Sequence, residues 1–312
     1  MARESEKTKK LNSDDLGFGK RFGTGNHRVL NKAGDFNIKR IGTVNTLYTK
    51  LINMKWWAFF LYTLLFYILI NSAFALIYFF IGVDELGVDT SKYRAIDELI
   101  LAYYFSTQTL TTVGYGFLNP FGKAAALVAS FESLVGLLSF AIAGALLYGR
   151  FSRPRPGIIF SDKALLSDME EGKRALMLRV ANAQESNMIE VKARLLCTYL
   201  EDKKGKIART YRELKLERNE ISMLPLNWTL VHWIDEGSPL NNMTYNDLEE
   251  NECEFIILIE AFNDSIAQLV HARTSFKMHE VLENHKFKIP YSLDEEGVTT
   301  FNLHLISESE PM

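Results

Sequence analysis

From Trp56 to Val83 the chain runs about 28 residues without a charged side chain, more than the roughly 20 needed to cross the hydrocarbon of a bilayer. This pattern predicts a tilted membrane-spanning helix. A second run, Ala124 to Gly149, is apolar apart from Glu132 and is also long enough to span. Between them, Ala95 to Thr109 has helix-compatible apolar spacing but only enough length to enter the membrane part way and return. The first run lacks the short apolar core and small-residue cleavage site of a signal peptide. Farther on the pattern turns to β structure, with candidate strands at 175–183, 188–200, 207–216, 228–234, 253–262, 266–276 and 298–306. Turn residues separate them, as in Asp202 to Gly205, Asp235 to Pro239 and Asn241-Asn242. In the second strand Ile189, Val191, Ala193 and Leu195 alternate with Glu190, Lys192 and Arg194, which predicts one core face and one wet face. Many short strands of this kind imply a sandwich.

Composition adds little by itself, because a net charge of −3 and a near-neutral mean hydropathy average over two unlike parts. Charge position is more informative. Lys39, Arg40, Lys50 and Lys55 precede the first span and Arg150, Arg153 and Arg155 follow the second, whereas Asp84, Glu85, Asp89, Asp97 and Glu98 lie between. The basic flanks place both termini in the cytoplasm. Cys197 and Cys253 then lie on the reducing side, where buried apolar cysteine is expected rather than a disulfide. The glycosylation patterns at Asn227 and Asn242 fall on the wrong side and are discarded. The six histidines show no metal-ligand spacing and no catalytic set can be assembled, so neither an enzyme nor a cofactor is expected. Nothing points to nucleic acid. His232 and His271 are candidate pH sensors, with solvated or hydrogen-bonded histidine as the commoner alternative.

The segment between the spans carries the chemistry. Thr111-Thr112-Val113-Gly114-Tyr115-Gly116, then Asn119-Pro120, follows the re-entrant helix. Extended backbone at membrane depth is tolerated where it lines a pore or is buried in protein. A potassium ion exchanges its water shell for oxygens at matched spacing, which successive backbone carbonyls supply when they face one axis. Glycine at alternate positions permits the required angles. The Thr112 hydroxyl and carbonyl, with the carbonyls of Val113, Gly114 and Tyr115, form such a ladder, and four chains surround the ion. The run Thr112 to Gly116 matches the well-known potassium-channel filter motif. No additional arginine-bearing helix for sensing voltage is present. Gly17-Phe-Gly19 with Gly23 has the wrong spacing for a dinucleotide turn and reads as a flexible N-terminal segment.

Beyond the filter, the chain resembles inward-rectifier potassium channels of the prokaryotic, KirBac-like branch. The likeness rests on Arg28-Val-Leu-Asn31, Gly34-Asp-Phe-Asn37, Phe105-Ser106, Arg150-Phe-Ser-Arg153-Pro154, Phe160-Ser161, Trp228 to His232, Ser238-Pro239 and His271-Ala-Arg273. It implies an N-terminal cytoplasmic segment over 1–42, a slide helix near 43–53 and pore domain to 153, and an immunoglobulin-like β-sandwich over 154–312. The resulting fold class is membrane α plus all-β, in a homotetramer. It further implies a bacterial inner-membrane protein, helped by the absence of the paired extracellular cysteines of eukaryotic members.

The departures matter as much. Where many relatives pair a glutamate behind the filter with an arginine after it, this chain has Gln108 and Leu118, so the expected filter support is Gln108 with Thr109, Thr111 and the Tyr115 hydroxyl. Phe140 stands where strong rectifiers carry an acid, implying weak block by Mg2+ or polyamines, with Ba2+ as a filter blocker. On an ideal helix Phe140 and Leu147 share a face and Tyr148 lies about 80° round; the resemblance favours Tyr148 as the gate. Gly136 and Gly144 are places to bend or to pack closely. Glu190 and Glu260 match acids of the cytoplasmic vestibule. Lys55, Trp56, Trp57, Arg150, Arg153 and Arg155 form a candidate site for anionic lipid. Glu132 is either functional or a carboxyl hydrogen-bonded behind the pore helix. The competing readings are a non-conducting receptor that keeps a relict filter and a poorly selective cation channel.

Overall fold

The computed structural model describes residues 28–39, 41–42, 46–152, 156–169, 172–202, 205 and 207–312. The Gly17 to Gly23 cluster, the expected first residues of the slide helix at 43–45, and Arg153 and Arg155 lie outside them. Contacts divide the chain into Ile41–Arg153 and a second unit formed from the residues on either side.

The first unit holds α1 (Leu47–Asn53), α2 (Trp56–Ile81), α3 (Ala95–Leu110) and α4 (Lys123–Phe151). Helix α1 lies in the stretch where a slide helix is expected and is capped by Thr46, whose hydroxyl accepts the Thr49 amide at 3.2 Å. Helices α2 and α4 are long and apolar enough to cross a membrane, and only 22% of the most apolar window of each is buried within one chain. A helix at the core of a soluble protein would be mostly buried, so the remaining surface suits lipid or other chains. Helix α3 is the re-entrant element. Asp97 and Glu98 fall in its first turn, where carboxylates suit the positive end of the helix dipole. Its buried face, Ala102 and Phe105, packs with Phe74, Ala75 and Tyr78 of α2 and Ala125 and Ala129 of α4. Tyr78 and Phe105 meet edge to face, with ring centroids 4.9 Å apart. Gly136 is a packing glycine: a Cβ there would lie 2.1 Å from the Leu110 carbonyl oxygen at the foot of α3. A Cβ at Gly144 would meet no side chain and no other element within 4 Å among the described residues, and α4 runs unbroken through both positions.

The second unit is the expected β-sandwich. Its strands are β1 (Ile158–Phe160), β2 (Ala164–Asp168), β3 (Arg174–Asn182), β4 (Met188–Asp202), β5 (Ile207–Leu214), β6 (Glu220–Met223) and β7 (Asn227–Ile234). The short helix α5 (Tyr245–Glu250) follows, then β8 (Glu254–Asn263), β9 (Gln268–Lys277), β10 (Val281–Glu283), β11 (His285–Phe287), β12 (Tyr291–Leu293), β13 (Thr299–Phe301) and β14 (Ser309–Pro311). In one sheet β3 pairs with β7 along one edge and with β2 and β1 along the other, and β10 adds parallel to β2. In the other β4 pairs with β8 along one edge and with β6 and β5 along the other, with β9 beyond β8. Leu176, Leu178, Val180, Leu195, Cys197, Phe255, Ile257 and Phe276 fill a common core. Both cysteines are free and buried, and burial pushes the Cys197 thiol up to about 12.

Three sequence expectations differ from the structure. The strand expected over 298–306 is only β13, followed by a short 3-10 turn at Leu303–Leu305. Alternation along β4 breaks at a bulge between Ile189 and Lys192, where Glu190 has φ 51. The extra residue shifts the register, so Met188 rather than Ile189 enters the core. The outer face of the β4–β8 sheet is also not wholly wet. Val29 and Leu30 pack there on Leu196 and Ile256, with Phe36 and Leu258 at the margin. The buried Glu254 carboxylate holds this segment by accepting the Val29 amide at 2.8 Å and the Leu30 amide at 3.2 Å.

Candidate functional site

Helix α3 ends at Leu110, and the chain leaves it through Thr111 to Gly116. Thr112, Gly114 and Gly116 have φ of 60, 54 and 84°, while Val113 and Tyr115 between them do not share this conformation. Alternating backbone handedness turns successive carbonyls to one side, which is what a ladder of oxygen ligands requires. Glycine adopts the left-handed region freely, whereas Thr112 does so at a cost of order 1–3 kcal/mol. Such strain persists where surrounding contacts over-determine it.

Those contacts come from the residue behind the run. The Gln108 carbonyl accepts the Val113 amide at 2.9 Å and the Gly114 amide at 3.3 Å. Its side-chain Oε1 accepts the Tyr115 amide at 3.2 Å. The Thr109 carbonyl accepts the Thr112 amide at 3.1 Å. Thr111 turns its hydroxyl back to the Thr107 carbonyl at 2.7 Å, so it ties the run to α3 rather than to its far end. Leu118 is buried in the apolar cluster around α3, in keeping with a neutral Gln108: an arginine there would be buried without a carboxylate. One expected support, the Tyr115 hydroxyl, has no hydrogen-bond partner among the described residues. Tyr115 is 84% exposed.

Sequence reasoning missed the other side of the clamp. Asn119 donates its Nδ2 to the Gly116 carbonyl at 2.6 Å, and the Leu86 carbonyl accepts the Asn119 amide at 3.1 Å. The Glu85 carboxylate accepts the Ala125 amide in the first turn of α4 at 3.2 Å, a favourable position against the helix dipole. The acidic loop between the spans therefore braces the filter run, and its sequence signal was only a charge pattern.

Along α4, Phe140 and Tyr148 are 84% and 75% exposed in the isolated chain, while Leu147 is half-buried. Phe140 shares a cavity with Thr112, Leu110, Gly136 and residues of α2. At the end of α4, Arg150 does not face outward as the basic cluster suggested. Its Nη1 donates to the Leu51 and Ile52 carbonyls at 2.5 and 3.0 Å and its Nη2 to Met54 at 2.7 Å. The guanidinium also lies 4.5 Å from the Trp56 ring and 4.8 Å from Phe59. It caps carbonyls at the C-terminal end of α1. Lys55 and Trp57 remain exposed.

In the sandwich, Glu260 faces Lys192 across the β4–β8 ladder and lies 3.8 Å from the His271 Nδ1. It lines a groove of mixed charge that also contains Asp35, Asp162 and Arg273. Glu190 is exposed at the bulge. His232 is buried between the Lys215 carbonyl, 2.7 Å from Nδ1, and the Ser238 hydroxyl, 2.8 Å from Nε2. A carbonyl only accepts, so Nδ1 carries the hydrogen and Nε2 accepts from Ser238. Burial pushes this histidine below its ordinary 6.5, which makes it a neutral structural group.

Two family models account for nearly the whole chain. The inward rectifier potassium channel transmembrane domain matches residues 24–154 and the inward rectifier potassium channel C-terminal domain matches residues 158–309. The inward rectifier potassium channel Kirbac3.1 of Paramagnetospirillum magnetotacticum is 33% identical over 261 residues, 82% of this chain and 86% of the relative. ATP-sensitive inward rectifier potassium channel 15 of Rattus norvegicus is 29% identical over 297 residues, 86% of this chain and 73% of the relative. Its Mus musculus counterpart is 29% identical over the same length, covering 78% of that protein. With both domains matched and the filter motif, spans and sandwich in the expected order, the chain belongs to the inward rectifier potassium channel family.

Proposed function

We propose that four copies of this chain surround one axis and conduct potassium ions passively across a bacterial inner membrane, with both termini cytoplasmic. The observation that carries this reading is the filter run itself: alternating backbone handedness from Thr112 to Gly116, held by three hydrogen bonds to Gln108. Thr112, Val113, Gly114 and Tyr115 are the ion ligands in this reading. The missing acid and arginine pair gives the poorly selective alternative its one argument. Gln108 answers it by supplying the hydrogen bonds directly, without burying a charge. Flux of potassium against sodium in liposomes tests the proposal.

The α4 helices line the path below the filter, with Phe140 in the cavity and Tyr148, flanked by Leu147, at the cytoplasmic constriction. Four bulky side chains there close the path by dewetting. In this reading Glu190 and Glu260 are the vestibule acids. Anionic lipid engages Lys55, Trp57 and the sequence-adjacent Arg153 and Arg155, each basic residue contributing about 1 kcal/mol near the surface. Arg150 and Trp56, which stack on each other, act instead as the link from α4 to the slide helix.

Phe140 leads to a measurable expectation about block. With no acid in the cavity, Mg2+ and polyamines on the cytoplasmic side find only the vestibule carboxylates and block weakly. Phe140→Asp places four carboxylates in a low-dielectric cavity and should tighten spermine block by at least about tenfold, or about 1.4 kcal/mol. Steep block of the parent channel at micromolar spermine would show that Phe140 is not the controlling position.

A further inference from the structure

Glu132 is the one carboxylate deep within a span, and the structure surrounds it with neutral groups from all three membrane helices. It is fully buried within a single chain. Its Oε2 lies 2.6 Å from the Tyr78 hydroxyl of α2, and its Oε1 lies 2.5 Å from the Ser106 hydroxyl of α3. The Ser106 oxygen is also 3.1 Å from the Asn71 Oδ1, and the Asn71 Nδ2 donates to the Tyr67 carbonyl at 2.7 Å.

Counting hydrogens decides the protonation of this network. The Tyr67 carbonyl only accepts, so Asn71 directs its NH2 there and presents its oxygen to Ser106. Tyr78 supplies one hydrogen to Oε2. Ser106 has one hydrogen and stands between two acceptors, Asn71 Oδ1 and Glu132 Oε1. With an ionised carboxylate one of those acceptors is left without a donor in a buried site. With a carboxylic acid, Glu132 donates to Ser106, Ser106 donates to Asn71, and every contact is satisfied in one direction. Charge points the same way. Tyr78 is the one other ionisable group against the carboxyl, and no lysine, arginine or histidine of α2, α3 or α4 meets it among the described residues. An unpaired buried anion is far costlier than a neutral acid.

We infer that Glu132 works as a neutral carboxylic acid that fastens the pore helix to both spanning helices and thereby positions the filter that Gln108 holds. Ser106 is two residues before Gln108, and Glu132 is one turn before Gly136, the glycine whose missing side chain admits the Leu110 carbonyl. The two α4 residues dock the same helix, one by hydrogen bond and one by close approach. Glu132 touches no ion ligand and is a positioning residue. This role rests on the proposed conduction for its functional consequence, but its chemistry does not.

Infrared spectroscopy of the reconstituted channel at neutral pH tests the chemistry independently of flux. A protonated-carboxyl carbonyl stretch is expected in the parent and lost in Glu132→Gln. Its absence from the parent, or its survival in Glu132→Gln, would overturn the inference. Glutamine keeps the geometry of the neutral acid, since its oxygen accepts from Tyr78 and its NH2 donates to Ser106. Glu132→Gln should therefore keep potassium flux and potassium-to-sodium selectivity within about twofold of the parent, whereas Glu132→Ala should lower flux at least about tenfold. A glutamine variant as impaired as the alanine variant would contradict the neutral form. If the parent conducts nothing, the conduction reading fails and the infrared result still judges the protonation.

Discussion

Gly114→Ala should abolish potassium flux. The residue sits at φ 54, and a Cβ there would meet nothing within 4 Å beyond its sequence neighbours among the described residues, so the loss does not come from a clash inside one subunit. It comes from the backbone. An L-residue in the left-handed region costs about 1–2 kcal/mol, and a tetramer bears that cost four times at one level of the filter. Thr112 already holds a similar conformation at φ 60, which adds strain only two residues away. The alanine backbone relaxes toward negative φ, and its carbonyl turns from the axis as it does so. A ligand plane is then lost from the ladder. Flux should fall at least about 100-fold, corresponding to about 2.8 kcal/mol, while the variant still purifies as an assembled, folded protein. Flux within a few-fold of the parent would show that the Gly114 carbonyl is not an ion ligand.

The second large effect is expected at Tyr148. Its side chain is exposed in the chain, two residues before the buried Arg150 that bonds three carbonyls around the end of α1. Gly149 lets α1 approach, since a Cβ there would lie 3.2 Å from Ile52 and 3.3 Å from the Tyr48 hydroxyl. In the proposed gating these contacts would make α1 and the end of α4 move together. Removing the bulk at the constriction should leave that link without a gate to move. Tyr148→Ala should raise basal flux several-fold and blunt the response to anionic lipid. Normal basal flux with an unchanged lipid response would place the gate at Leu147 or in the filter.

The parts of this molecule that sequence revealed are those where physics acts on consecutive residues. A span needs an unbroken apolar run, a filter needs a fixed order of small and carbonyl-presenting residues, and a half-buried strand needs alternation; α2, α4, the Thr112 to Gly116 run and most of the sandwich strands obey these rules. Distant pairing is not written locally. Glu254 accepts the amides of Val29 and Leu30, which lie some 225 positions earlier, and nothing near either end announces the contact. The bulge at Glu190 was hidden because any residue pattern permits an inserted position until its partner strand is known. Arg150 read as an interfacial cation like Arg153, since only the fold shows the Leu51, Ile52 and Met54 carbonyls within its reach. Glu132 was legible as unusual, but its helical face was not, and its partners Tyr78 and Ser106 emerged only when three helices met.

The central claim is selective conduction, and a concentrative uptake assay in liposomes measures it directly. Purified channel should take up rubidium and potassium, with barium blocking and sodium at least about tenfold less effective as the permeant ion. Equal sodium and potassium uptake by the unaltered protein, or no uptake of either by properly assembled channel under varied lipid, would contradict the account.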